Sequence, residues 1–64
     1  MRLIKLTEVK RIGNFERYFN ADKIENFKRM TASTYLYMST SSSAYEVVET
    51  PEEIIELIKQ AEEI

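Results

Sequence analysis

The segment Thr50-Pro51-Glu52-Glu53-Ile54-Ile55-Glu56-Leu57-Ile58-Lys59-Gln60-Ala61-Glu62-Glu63-Ile64 constrains the fold more than any other part of the chain. Thr50 is a good helix cap, and Pro51 suits the first helical position because its missing N–H would be unpaired there anyway. Glu53, three residues after Thr50, completes a capping box. Ile54, Leu57, Ile58, Ala61 and Ile64 then recur with helical spacing and form one apolar stripe. The pattern predicts a helix over residues 51–63, with Ile58 at the centre of the stripe and buried. A helix this short is marginal alone, so its stripe needs a surface to dock on. Only strand-like sequence precedes it.

Residues 2–9 alternate, with Ile4 and Leu6 inward and Arg2 and Glu8 on their side. Lys10-Arg11-Ile12-Gly13-Asn14 breaks the alternation, and Gly13 and Asn14 favour a turn. Residues 15–20 read as a second strand, with Phe15, Arg17 and Phe19 on one side and Tyr18 on the other. Asn20 and Asp22 suit a turn that bonds side chain to backbone. Residues 24–30 resume an extended pattern. Residues 34–40 carry the strongest strand signal, with Leu36 and Met38 opposite Tyr35 and Tyr37. The polar run Ser39–Ser43 reads as a hairpin loop. Residues 44–49, with Tyr45 and Val47 inward, lead into Thr50. The expected fold is α+β, a single domain over residues 1–64. It has a small antiparallel β-sheet of about five short strands with one C-terminal α-helix packed on it.

Three stretches, Ile4-Lys5-Leu6-Thr7, Phe19-Asn20-Ala21-Asp22-Lys23-Ile24-Glu25 and Val48-Glu49-Thr50-Pro51-Glu52-Glu53-Ile54-Ile55, together resemble the flagellar FlbD/SwrD-like family of small bacterial proteins. The chain looks like a divergent member, with Ser41-Ser42-Ser43 where such proteins carry a glycine-containing turn. The resemblance implies a non-enzymatic accessory role linked to motility, or a relative of that family borne by a phage or mobile element. It implies no catalytic residues.

Composition narrows the chemistry. The chain has no cysteine and no histidine, which excludes disulfides and Cys/His zinc sites. Its many Ser and Thr lack an identifiable base, so nucleophilic catalysis is poorly supplied. One glycine makes neither a P-loop nor a dinucleotide fingerprint. The carboxylates around the helix start are accounted for by capping and solvation rather than by a metal. No catalytic residue, cofactor or metal is therefore expected. No apolar run reaches membrane-spanning length and no export signal is visible, so the expected location is cytoplasmic, without membrane insertion.

Charge is unevenly spread. Residues 1–29 carry eight of the nine basic residues and four acids, whereas residues 30–64 carry Lys59 and seven acids. The basic half offers a candidate interaction surface of Arg17, Tyr18, Lys28, Arg29, Tyr35 and Tyr37. Two partners fit it. One is a protein, including a second copy of the chain. A single helix covers one sheet face, leaving Tyr35 and Tyr37 with Phe27 or Tyr18 on the other, and two-fold closure makes a dimer the expected homo-oligomer. The other is single-stranded nucleic acid stacking on Tyr35 and Tyr37, with Arg17, Lys28 and Arg29 on phosphates. That layout has a fold-level analogue in LytTR-type DNA-binding domains. The net charge of −2 favours the protein partner.

Overall fold

A computed structural model describes residues 1–64. The chain forms β1 (Leu3–Lys10), β2 (Gly13–Asn20), a 3-10 turn (Ala21–Lys23), β3 (Ile24–Arg29), β4 (Thr34–Met38), β5 (Tyr45–Val47) and α1 (Pro51–Gln60). All pairings are antiparallel, and the spatial order is β2-β1-β5-β4-β3.

That order makes β2 and β3 the two edges of one sheet, although they are consecutive in sequence. Four inter-strand spacings in a flat sheet would place the edges about 19 Å apart. A three-residue 3-10 turn advances only about 6 Å. The sheet therefore curls until its edges converge, and the turn is stitched to both sides of the gap. Ala21 N–H donates to the Arg2 carbonyl at 2.7 Å, and Ser39 N–H donates to the Lys23 carbonyl at 2.7 Å. Asn20 caps the turn by accepting from Asp22 N–H at 3.0 Å. Asp22 makes no such local bond and takes the Arg2 guanidinium instead, at 2.9 Å.

The inner side of the curl holds the core. Ile4 and Leu6, Phe19, Leu36 and Met38, and Val47 are buried there with Ala21 and with Ile54 of the helix. Phe27 pairs with Leu36 and packs against this cluster, so it belongs to the inner face and not to the outer tyrosine face. The helix docks through Ile54, which is fully buried, with Leu57, Ile58 and Ala61 packed behind it. Ile58 is only half-buried, so the anchor lies one turn earlier than the centre of the stripe. Both halves of the capping box form: Glu53 N–H donates to the Thr50 hydroxyl at 3.2 Å, and Thr50 N–H donates to the Glu53 carboxylate at 2.8 Å.

Element ends shift for local reasons. The helix stops at Gln60 rather than at residue 63, because Ala61 is extended and the last residues pair with the first strand's approach. Arg2 bridges Glu63, and Ile64 N–H donates to the Met1 carbonyl at 2.9 Å, which leaves Ile64 out of the core and 80% exposed. The first strand begins at Leu3, since Arg2 is spent on that bridge. Only Arg11 and Ile12 separate β1 from β2, so β2 starts at Gly13, earlier than residue 15. Gly13 has φ +148° and is the only residue with positive φ, so it alone absorbs the turn and Asn14 is an ordinary strand residue. β3 ends at Arg29 because Met30 N–H closes the next turn on the Ser33 carbonyl at 2.8 Å. β4 ends at Met38 where Ser39 turns to Lys23. β5 spans Tyr45–Val47 rather than 44–49, because the Glu49 side chain, not its backbone, satisfies the Thr7 N–H and hydroxyl, each at 2.9 Å.

Candidate functional site

Strand alternation and register fix where the candidate residues point. Lys28 lies opposite Tyr35, and Asn26 opposite Tyr37, so Lys28, Tyr35 and Tyr37 share the outer face of β3 and β4. Tyr18 is also on an outer face, but on β2, at the other edge of the sheet. It is 64% exposed, whereas Tyr35 and Tyr37 are half-buried. The tyrosines thus form two separate patches. Leu3, diagonal to Tyr18 across the β1–β2 pair, is exposed beside it, and an open groove runs from these two residues to Leu57 of the helix and Ala61 just beyond it.

Arg29 points to the inner side and is engaged at once. Its guanidinium donates to both oxygens of Glu52, at 2.6 and 2.5 Å, across to the first turn of α1. That hydrogen bond holds the Glu52 carboxyl below its ordinary value. Arg2 does the same for Asp22.

Arg17 also faces inward, and it organises the most elaborate polar cluster in the molecule. Its Nη1 donates to Glu8 at 3.1 Å. Glu8 follows Ile4 and Leu6 on the inward face of β1 and is buried. A buried carboxylate needs a partner, and Arg17, with Lys10 at 3.9 Å, supplies it. The guanidinium also sits 4.9 Å from the ring centre of Tyr45 and 5.7 Å from that of Phe19. The two rings meet edge-to-face at 5.3 Å and 76°. These contacts fix the guanidinium from behind and from the side.

In front of Arg17 lies a cleft of about 330 Å³, lined also by Tyr18, Phe19, Asn20, Lys23, Met38, Thr40 and Tyr45. It sits at the gap where the curl brings the 3-10 turn and the end of β4 toward β2. Glu8, Lys23 and Tyr45 were not among the candidates from sequence. A signal was available for Glu8 alone: an acid continuing the inward row of Ile4 and Leu6 calls for an inward base, and Arg17 between Phe15 and Phe19 is the base on an apolar strand face.

The acids near the helix start are each engaged. Glu46 accepts from the Ser33 hydroxyl at 2.7 Å, and Glu49, Glu52 and Glu53 take Thr7, Arg29 and Thr50. No helix of the structure is long and apolar enough to cross a membrane. No protein-family model, curated protein or solved structure matches the chain.

Proposed function

We propose that this chain is a non-catalytic protein-interaction module that pairs with a second copy of itself through β2. The observation that carries this is the contrast between the two sheet edges. β3 is blunted by a register break between Ile24 and Asn26. β2 runs eight residues in unbroken register with β1 and has no strand on its other side. A long regular edge with an exposed aromatic ring is a template for strand addition. The accessory, non-enzymatic role implied by the resemblance to the flagellar FlbD/SwrD-like family agrees with this reading.

The residues of β2 disfavour two of its central two-fold registers and favour the one beside them. Antiparallel partners must share a face, so the symmetry axis passes beside a single residue. Centring on Glu16 sets two glutamates opposite each other, and centring on Arg17 sets two guanidiniums opposite; both are destabilising. Centring on Tyr18 pairs two tyrosines on the axis and sets Arg17 against Phe19, and Glu16 against Asn20, of the other copy. Aromatic cross-strand pairs are among the favourable ones.

The nucleic-acid reading has less support. Of the three bases assigned to phosphate contacts, only Lys28 shares a face with Tyr35 and Tyr37, while Arg17 and Arg29 are turned inward to Glu8 and Glu52.

The chain has no cysteine, so engineered ones report cleanly. Tyr18→Cys should form a covalent dimer on mild oxidation, since directly opposed residues lie within disulfide reach. Glu16→Cys alone should not, but Glu16→Cys mixed with Asn20→Cys should. Light scattering should give about twice the 7.6 kDa chain mass. A single-chain mass at all concentrations, with no selective cross-linking, would refute the self-pairing.

A further inference from the structure

We infer that the cleft in front of Arg17 is a binding site for an oxyanion, a carboxylate or phosphate group carried on a small organic residue. The argument begins with the polar groups that line it. Arg17 gives one nitrogen, Nη1, to Glu8, and its Nε and Nη2 form no hydrogen bond within the chain. Asn20 uses its Oδ1 to cap the 3-10 turn, so its free side-chain group is the Nδ2 amide donor. Lys23 lines the same cleft, and its ammonium has no carboxylate within ion-pairing distance.

The uncommitted nitrogen groups are all donors, two of them on cations. No carboxylate lines the cleft, and Glu8, the acid that Arg17 binds, is itself buried. A site with this polarity is completed by an acceptor bearing negative charge.

Preorganisation strengthens the case. A free arginine side chain loses rotamer freedom when it binds an anion. Here the guanidinium is already held by Glu8 and by the rings of Tyr45 and Phe19. Little further ordering is needed, and the planar fork suits two oxygens of one group. The remaining wall holds Met38 and the rings of Tyr18, Phe19 and Tyr45, which suit the carbon part of the ligand, together with Thr40. Tyr18, Arg17, Phe19 and Asn20 border the cleft and also lie on the strand proposed for self-pairing, so the site is tested on the single chain.

The test is an NMR titration of the whole chain at neutral pH and low salt, following the Arg17 Nε–H signal. The probes are inorganic phosphate and an end-capped peptide of three glutamates. A saturable shift with phosphate alone identifies a phosphate ligand, and a tighter response to the peptide identifies an acidic protein segment. Either result supports the site. Lys23→Gln, at an exposed position, should weaken binding about fivefold, the size of one partly screened charge contact. Arg17→Gln should abolish the response; if that variant fails to fold because Glu8 is orphaned, the Lys23→Gln result decides. The titration repeated at a concentration at which light scattering gives the single-chain mass should show the same response, which separates the site from the self-pairing. No saturable shift with either probe up to about 10 mM, weaker than even a millimolar site, would overturn the inference. So would a response indifferent to Lys23→Gln.

Discussion

Truncating the helix stripe one residue at a time tests how α1 is docked. Ile54 is completely shielded, Ile58 half-buried and Ile55 46% exposed. Ile→Ala at a fully buried site costs about 2–5 kcal/mol, the lost transfer energy plus the cavity left behind. A 64-residue domain has total stability of only about 3–10 kcal/mol. Ile54→Ala should therefore remove about a fifth of the total or more. Ile58→Ala deletes the same atoms from a partly wet site and should cost about half as much. Ile55→Ala should stay within about 0.5 kcal/mol, as for other surface changes. Alanine's better helix propensity offsets all three equally and cancels in the comparison. Urea titration followed by far-ultraviolet circular dichroism measures the series. With a slope near 1 kcal/mol per molar for so small a chain, Ile54→Ala should lower the midpoint by about 2 M or more. If that variant is unfolded in water, Ile54→Val, worth about 0.5–1.5 kcal/mol, keeps the site measurable. An order with Ile58 or Ile55 costlier than Ile54 would mean that the helix presents a different face to the sheet, and the packing described above would be wrong.

Other outcomes follow from single contacts. Thr50→Ala removes the hydroxyl half of the capping box and should cost about 1 kcal/mol in the same titration; a zero effect would show that the cap is not formed in solution. Gly13→Ala should cost about 1–3 kcal/mol although a methyl would have room there, at 3.8 Å from the Phe15 ring, because φ +148° is hostile to any side chain. Unchanged stability would mean that the hairpin adopts another turn. Asp22 and Glu52 both titrate below their ordinary range in the folded chain, through Arg2 and Arg29. A lowered folded pKa adds stability above the unfolded value and loses it as the pH falls through the folded one. Stability should therefore decline below about pH 4, the ordinary carboxylate region. Arg29→Gln should flatten the Glu52 part of that decline; an identical acid profile in this variant would argue against the ion pair.

Some of the interaction surface was readable from local rules and some was not. Alternation along β4 placed Tyr35 and Tyr37 opposite Leu36 and Met38, and the register confirms that separation of faces. The same rule put Arg17 with Phe15 and Phe19, and Arg17 does lie on the side of the buried Phe19. Phe27 escaped it because the strand around Ile24–Asn26 breaks register, which hides the inward parity of the residues that follow. The joint use of Arg17, Lys28 and Arg29 was not readable at all, since it depends on which strands become neighbours.

The sequence by itself determined the features whose physics is complete within a few residues. These are the Thr50 cap, the apolar period of the helix, the glycine at the first turn, the Asn20 cap of the 3-10 turn and the alternation of β1, β2, β4 and β5. Each depends on backbone geometry and on side chains no more than a turn away. Only the tertiary structure decided that β2 and β3 are the edges of a curled sheet, that Tyr18 rather than Tyr35 is the exposed ring, and that Ile54 rather than Ile58 anchors the helix. Only it set Arg17 against Glu8 and Tyr45 to make a cleft beside Lys23. Those outcomes come from contacts between distant segments, where burying the shared core selects one strand order among several that satisfy the same local patterns.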